Sequence, residues 1–417
     1  MKYSNPLGKW LWGVATSAHQ SEGDNVRNDW YHFEMLPKKI KRGERSGKAT
    51  DFWNRFEEDI KLAKEFGMNT FRFSLEWSRI VPKPGTVDGS ALAHYQEIID
   101  TIRKYELEPM VTLHHFTLPK WIANKGGWVN KRNLKHWRFY VATVARNIEN
   151  VILWNTINEP NVVIAMGYFT GVFPPGNSFD IPGYVKAIRN ILLAHGFAYH
   201  IVKKYQPESE IGIVKNITWF YPYRRWSFSE NLLAWFFDYM FNEITLRALR
   251  TGKLPLSLQP IEFLKNSIDF FGLNYYTKSY VRIVEPGSIV MSKPHEFTTQ
   301  MGQVPYPEGL TLAIKRVSNL GKPVIITENG VPTLDESVRK AYLEAHLRAV
   351  EKAIQEEIDI RGYIYWSITD NFEWAEGFEP RFGLVEIDYE TLERKPRKTA
   401  YWFRERIKSF KYKGYIS

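Results

Sequence analysis

The sequence predicts an α/β fold of one kind, a single (β/α)8 TIM barrel with decorated βα loops spanning residues 1–417. Apolar or β-branched runs alternate with longer segments of 3.6-residue periodicity, the pattern of parallel strands each followed by a covering helix. Eight such runs are present, and eight is the number at which a parallel sheet of this type closes. An open doubly wound sheet would carry a Gly-rich phosphate turn after its first strand, and Trp12-Gly13-Val14-Ala15-Thr16 is not one.

In chain order the strand runs are 10–20, 68–77, 108–115, 151–159, 210–217, 270–276, 323–328 and 360–370. Each is rich in apolar or β-branched residues, as expected of strands buried on both faces. Helical periodicity marks 51–66, 90–105, 133–149, 183–205, 307–320 and 337–357. Ser90 and Asn133 stand where N-caps are wanted, and Gly67 and Gly321 follow helix ends where a left-handed residue is wanted. No linker, sequence repeat or low-complexity tract divides the chain.

Hydrophobic residues make up 44% of the chain against 24% charged, which excludes disorder and supports a large core. There is no Cys, so a disulfide framework and thiolate metal sites are excluded, and a reducing compartment is favoured. Pro6 and Gly8 interrupt the place where a signal peptide needs its apolar core, and the expected location is cytoplasmic. The net charge of +10 is concentrated at 38–45 and 394–413. In the second cluster Tyr401, Phe403, Ile407 and Phe410 recur near helical spacing, so its Lys and Arg read as a solvated helix face. No nucleic-acid reading module accompanies the charge, and no nucleic-acid partner is expected. Absent Cys, seven Gln and abundant Lys and Glu predict a heat-stable protein.

Two strand runs end alike, in Thr156-Ile157-Asn158-Glu159-Pro160 and Ile326-Thr327-Glu328-Asn329-Gly330. Residues at the C-terminal ends of barrel strands converge on one face, so Glu159 and Glu328 are the candidate chemistry. Paired carboxyls can split an acetal by supplying one proton donor and one anionic nucleophile or base. The other strand ends offer Gln20 and Glu22, Arg72 and Glu76, His114 and His115, Asn216, Asn274, Tyr275 and Tyr276, and Trp366 with Asp370. Amides, an imidazole, carboxyls and an indole suit a neutral, multiply hydroxylated ligand. No metal is expected, since no His-Glu-x-x-His helix exists and adjacent His114 and His115 point to opposite faces of a strand. A Gly-x-Ser-x-Gly elbow and a Gly-rich phosphate loop near the last two strands are likewise absent.

These two Glu motifs, together with residues 13–23 (GVATSAHQSEG) and Asp370-Asn371-Phe372-Glu373-Trp374-Ala375 ahead of Arg381-Phe382-Gly383-Leu384, make the chain similar to glycoside hydrolase family 1. The resemblance runs from about Trp10 to Tyr401 with the motifs in the family's order. It implies a retaining exo-β-glycosidase acting on terminal β-D-glucosides or β-D-galactosides, without cofactor, with Glu159 as acid/base and Glu328 as nucleophile. Arg72 and Tyr276 match the family's partners of the nucleophile. Gln20, His115, Glu373 and Trp374 match its contacts to the outer hydroxyls, Asn158 its contact to the hydroxyl beside the reacting carbon, and Trp366 its stacking platform. Glu373 argues against 6-phosphorylated glycosides, because its charge would repel a phosphate. Phe116 and Thr117 depart from the family, which usually has Trp and Asp there, and an altered pocket rim is expected. The rival readings are an enzyme working mainly by transglycosylation and a non-catalytic sugar-binding barrel, the latter disfavoured because both Glu are present.

Segment 217–242 is crowded with aromatic residues, Arg224 and Arg225 among them. Three readings are open: packing against the barrel, an apolar wall for an apolar or alkyl aglycone, and peripheral membrane contact. Its apolar stretches are far shorter than the ~20 residues of a membrane span. The oligomeric state is left open.

Overall fold

A computed structural model of the chain describes residues 8–283 and 288–410. Residues 1–7 and the basic residues Lys411 and Lys413 of the second cluster lie outside that range. Eight parallel strands close a barrel: β1 (Leu11–Ala15), β2 (Thr70–Ser74), β3 (Glu108–Thr112), β4 (Leu153–Asn158), β5 (Glu210–Asn216), β6 (Phe270–Asn274), β7 (Val324–Asn329) and β8 (Ile360–Trp366). Each pairs with its neighbours in chain order, and β8 closes on β1 in the register Leu11 to Gly362 through Ala15 to Trp366. All eight anticipated runs contain a barrel strand.

Four runs extend well past their strands, the third because Glu108–Thr112 stops three residues short of His115. Leu11–Ala15 gives way to a helical turn, Ala18–Ser21, and Thr70–Ser74 to another, Trp77–Ile80. Trp366 ends β8, and Asp370 lies beyond it. In each case apolar composition continues past the last ladder bond because the loop is itself buried, and composition cannot separate the two.

The covering helices include α1 (Phe52–Glu65), α2 (Gly89–Lys104), α3 (Leu134–Asn147), α4 (Pro160–Tyr168), α5 (Ile181–Tyr205), α6 (Phe228–Asp238), α7 (Ile244–Thr251), α8 (Pro307–Ser318), α9 (Glu336–Gln355) and α10 (Lys398–Ser409). Gly67 and Gly321 are left-handed, at φ +79° and +67°, as anticipated. The N-caps hold only in part: Ser90 lies inside its helix, and Asn133 occupies the cap position without capping through its side chain. Asp88 caps α2, accepting from the backbone N–H groups of Ser90 and Ala91. Asn133 makes no cap hydrogen bond with its side chain and donates instead to the carbonyl of Gly127 at 2.8 Å. Asp88 and Ser90 are equally good capping residues two positions apart, so the choice between them turned on where the preceding loop enters.

Helix α10 buries Phe403 and packs Phe410 against Trp10 and Trp12. Its basic residues are less free than a solvated face implies: Arg406 pairs with Glu344 at 3.1 Å, and just before the helix Arg394 pairs with Asp59 at 3.0 Å and Arg397 with Asp370 at 2.8 Å. Much of the second basic cluster therefore ties the C-terminal segment to the barrel.

Candidate active site

Each barrel strand delivers its last residues to one end, where a cavity of about 410 Å³ opens. Glu159 lies at the end of β4 as the residue before α4, with Pro160 in the first helical position. Its backbone is left-handed, φ +44° and ψ +61°, a conformation uncommon for a residue with a Cβ. Glu328 lies within β7, and Gly330 follows because a Cβ there would collide with the Trp366 carbonyl. The glycine thus serves a close approach of two strand ends.

Both carboxyls are buried, in different company. Glu328 accepts from Arg72 Nη1 at 2.5 Å and from the Tyr276 hydroxyl at 2.7 Å. Glu159 receives only neutral donors, the side-chain amides of Asn216 at 3.0 Å and Asn274 at 2.9 Å. Burial, with the neighbouring Glu328 charge second, pushes Glu159 up to about 7, against the opposing pull of the two amides and Arg72. Arg72 also donates to Asn158 Oδ1 at 2.7 Å, so one guanidinium fixes β2, β4 and β7 together.

Asn158 then orients His115. Its Oδ1 accepts from Arg72 and from Asn274, which leaves its amide nitrogen to donate to His115 Nε2 at 3.1 Å. Burial and the nearby Arg72 charge hold His115 well below the usual imidazole range, so the ring is neutral. A neutral ring accepting at Nε2 carries its proton on Nδ1, and that buried nitrogen has no protein partner. His115 lines the cavity with its ring held in that orientation.

Gln20 accepts from Ser17 at 2.7 Å and donates to Asn371 and Glu373, each at 3.1 Å. Burial, then Glu328 and Glu159, push Glu373 up to about 8. Trp366 stacks on His115 with ring centres 5.8 Å apart, and Trp374 stacks on the same imidazole at 6.0 Å. Phe116 lines the cavity and packs against Trp374 at 4.9 Å, whereas Thr117 turns away to donate to Glu76 at 2.8 Å.

Several strand-end residues do other work. Glu22 is held by Arg79 at 2.9 Å and Tyr95 at 2.7 Å, and Glu76 by Asn28, Thr117 and the backbone of Ser78. His114 is wedged between Trp128 and Trp137, Tyr275 donates to the Tyr306 carbonyl, and Asp370 holds Arg397. None of these five lines the cavity. Among the described residues no group of three or more His, Asp or Glu is placed to hold a metal ion.

Above the carboxyls the cavity becomes apolar. Part of segment 217–242 forms this wall through Phe220, Phe236, Phe237, Met240 and Phe241. The opposite side is a face of α4 that sequence reasoning missed, Val162, Ala165 and Met166 continuing to Phe169. Their i, i+3, i+4, i+7 spacing was the available signal. The remaining parts of 217–242 divide between burial and exposure. Ala234 and Phe237 pack inward against Phe169 and Phe220, and Trp226, Phe228, Leu232 and Trp235 face outward.

The model of glycosyl hydrolase family 1 matches residues 6–412. A solved β-glycosidase from Pyrococcus horikoshii is 41% identical, with a TM-score of 0.87 over 97% of this chain and 94% of that one. A β-glucosidase from Thermotoga maritima, solved in complex with glucoimidazole, is 33% identical with a TM-score of 0.88 over 96% of this chain and 98% of that one. A 6-phospho-β-galactosidase from Clostridium acetobutylicum is 30% identical over 94% of this chain and 95% of its own length.

Proposed function

The chain belongs to glycosyl hydrolase family 1 and is a β-glycoside hydrolase, and from that premise we propose that it releases terminal β-D-glucose or β-D-galactose with retention, in one catalytic domain. The observation that carries this reading is the unequal setting of two carboxyls in one cavity: Glu328 faces a cation and a hydroxyl, Glu159 faces two amides. Retaining hydrolysis asks for that inequality, one carboxylate to attack and one carboxylic acid to donate.

Glu328 attacks the anomeric carbon while Glu159 gives its proton to the departing glycosidic oxygen. Esterification then removes the Glu328 charge, one of the causes that hold Glu159 high, so Glu159, which has just given up its proton, is more stable as the carboxylate and can act as the base. It next takes a proton from water, the water attacks the anomeric carbon, and Glu328 is freed. Arg72 and Tyr276 bind and align the nucleophile. Gln20, His115, Glu373 and Trp374 bind the outer hydroxyls, Asn158 the hydroxyl beside the reacting carbon, and Trp366 the sugar's apolar face. The Glu373 carboxyl offers a phosphate on the outer hydroxyl no cationic partner, which disfavours the 6-phosphorylated substrate that the Clostridium relative's name states of that enzyme. The wall of Phe220, Met240 and Phe241 favours an apolar or alkyl aglycone.

Incubation with a 2-deoxy-2-fluoro-β-glucoside bearing a good leaving group, followed by peptide mass spectrometry, tests the assignment. A fluoroglycosyl adduct on Glu328 is expected. An adduct on another residue, or none while aryl glucosides are hydrolysed, would remove the retaining scheme.

A further inference from the structure

Helix α6 turns an apolar stripe to the outside. Phe228 is 83% exposed, Leu232 55% and Trp235 64%, and Trp226, just before the helix, is 81% exposed. Positions 228, 232 and 235 follow i, i+4, i+7 and share one side of the helix, while Ala234 and Phe237 anchor the other side in the protein. The exposed residues between them, Ser229 and Asn231, are uncharged. Single exposed apolar residues are ordinary; two Trp, a Phe and a Leu on one short stretch form a contact surface.

We propose that this face seats the protein on an anionic lipid surface. Trp is favoured where one end of a side chain is in an apolar phase and the other is wet. Arg225 is exposed beside the stripe, which suits acidic headgroups, and the chain's net charge of +10 opposes pairing with a second, equally charged copy. Arg224 is a brace and not a headgroup ligand, since its guanidinium lies 2.7 Å from the buried Glu230 and over the Trp226 ring. At 11 residues α6 is too short to cross a bilayer and suits lying in its surface. The face also leads into the cavity. Phe236 is 40% exposed and lines it, as do the partly exposed Val172, Ile181 and Ile289 around the mouth. An amphiphilic β-glycoside held in the bilayer by its tail would meet the enzyme at that mouth. This last step rests on the apolar-aglycone reading; lipid binding itself does not.

The test is co-sedimentation of the full chain, without substrate, on phosphatidylcholine vesicles with and without phosphatidylglycerol. The wild type should partition onto the phosphatidylglycerol vesicles. A variant combining Trp226→Ser, Phe228→Ser, Leu232→Ser and Trp235→Ser should bind about tenfold more weakly while hydrolysing a soluble aryl glucoside normally. If the combined variant fails to fold, Trp226→Ser and Phe228→Ser made singly should each give part of the loss. The proposal is overturned by absence of vesicle binding, by binding that the variants leave unchanged, or by a wild-type dimer that the variant dissociates and that ignores vesicles. Loss of aryl glucoside hydrolysis after Glu328→Gln with vesicle binding intact would show that the two readings stand separately.

Discussion

The floor and the upper wall of one cavity are built on opposite terms. At the floor, Glu159, Glu328, Arg72, Asn158, Asn274 and Tyr276 come from four strand ends and are joined by hydrogen bonds of 2.5 to 3.3 Å. Above them, Val162, Met166, Phe220, Met240 and Phe241 come from a helix and a long excursion after β5, and contribute apolar surface. A network in which each member orients the next tolerates little change, because a deleted partner strands a buried polar group. An apolar wall loses area in proportion to what is removed. Chemistry and aglycone preference should therefore separate under mutation.

The largest effect is expected at the floor. Glu328→Gln should lower kcat by about 10⁵-fold or more whatever the aglycone, measured in steady-state assays of nitrophenyl and alkyl glucosides. If the loss depended on aglycone, the separation would be broken. Glu159→Gln should lower kcat by about 10²- to 10⁴-fold, most for poor leaving groups that need the proton.

The pH profile sharpens the same contrast. Glu159 must be protonated to act first, so kcat/KM should fall as pH rises through about 7, and Glu159→Gln should abolish that limb. Both Glu159 and Glu373 are raised in the folded state, so the stability they contribute is complete below the ordinary carboxylate range. It is lost as pH rises through about 7 and about 8, and Glu373→Gln should flatten the decline of melting temperature above neutrality.

At the wall, lengthening an alkyl aglycone should raise kcat/KM by up to ~0.8 kcal/mol per methylene until the surface is covered. Phe220→Ser should reduce the gain for octyl glucoside and leave methyl glucoside unchanged. A flat chain-length series would remove the apolar-aglycone reading.

Lys215 links the two regions. It is wholly buried, and its Nζ donates to the carbonyls of Asn216 at 2.8 Å and Phe241 at 2.9 Å, one beside the acid/base and one in the wall. Lys215→Met would remove a buried donor from the Phe241 carbonyl and leave the Asn216 carbonyl with the Asn161 amide alone, costing about 1–3 kcal/mol. It should raise KM for long alkyl glucosides severalfold and change kcat on nitrophenyl glucoside less. These shifts are best read well below the melt, which composition puts above ~90 °C; a melt near 50 °C would refute that expectation.

How much of this was legible in advance depended on how local the signal was. Apolar run lengths located all eight barrel strands, and two matching strand ends singled out Glu159 and Glu328. Local pattern could not say which strand-end polar groups would find partners behind the barrel. Glu22, Glu76 and Asp370 resembled the catalytic pair in position, yet Arg79, Thr117 and Arg397 reach them from distant parts of the chain. Asn274 gave no sign that its amide would sit on Glu159. Aromatic crowding in 217–242 announced a special surface, and only the path of α6 divided it into a cavity wall, a buried anchor and an exposed stripe.

By itself the sequence determined the closed barrel, the end at which its chemistry gathers and the residue types available there, because periodicity and strand termini are properties of short stretches of chain. Tertiary structure alone decided which of two buried Glu would face an arginine and which would face amides, where the His115 proton resides, and which aromatic side chains meet solvent. Those outcomes depend on groups hundreds of residues apart arriving within 3 Å of one another, such as Arg72 and Glu328, and no local pattern encodes that meeting.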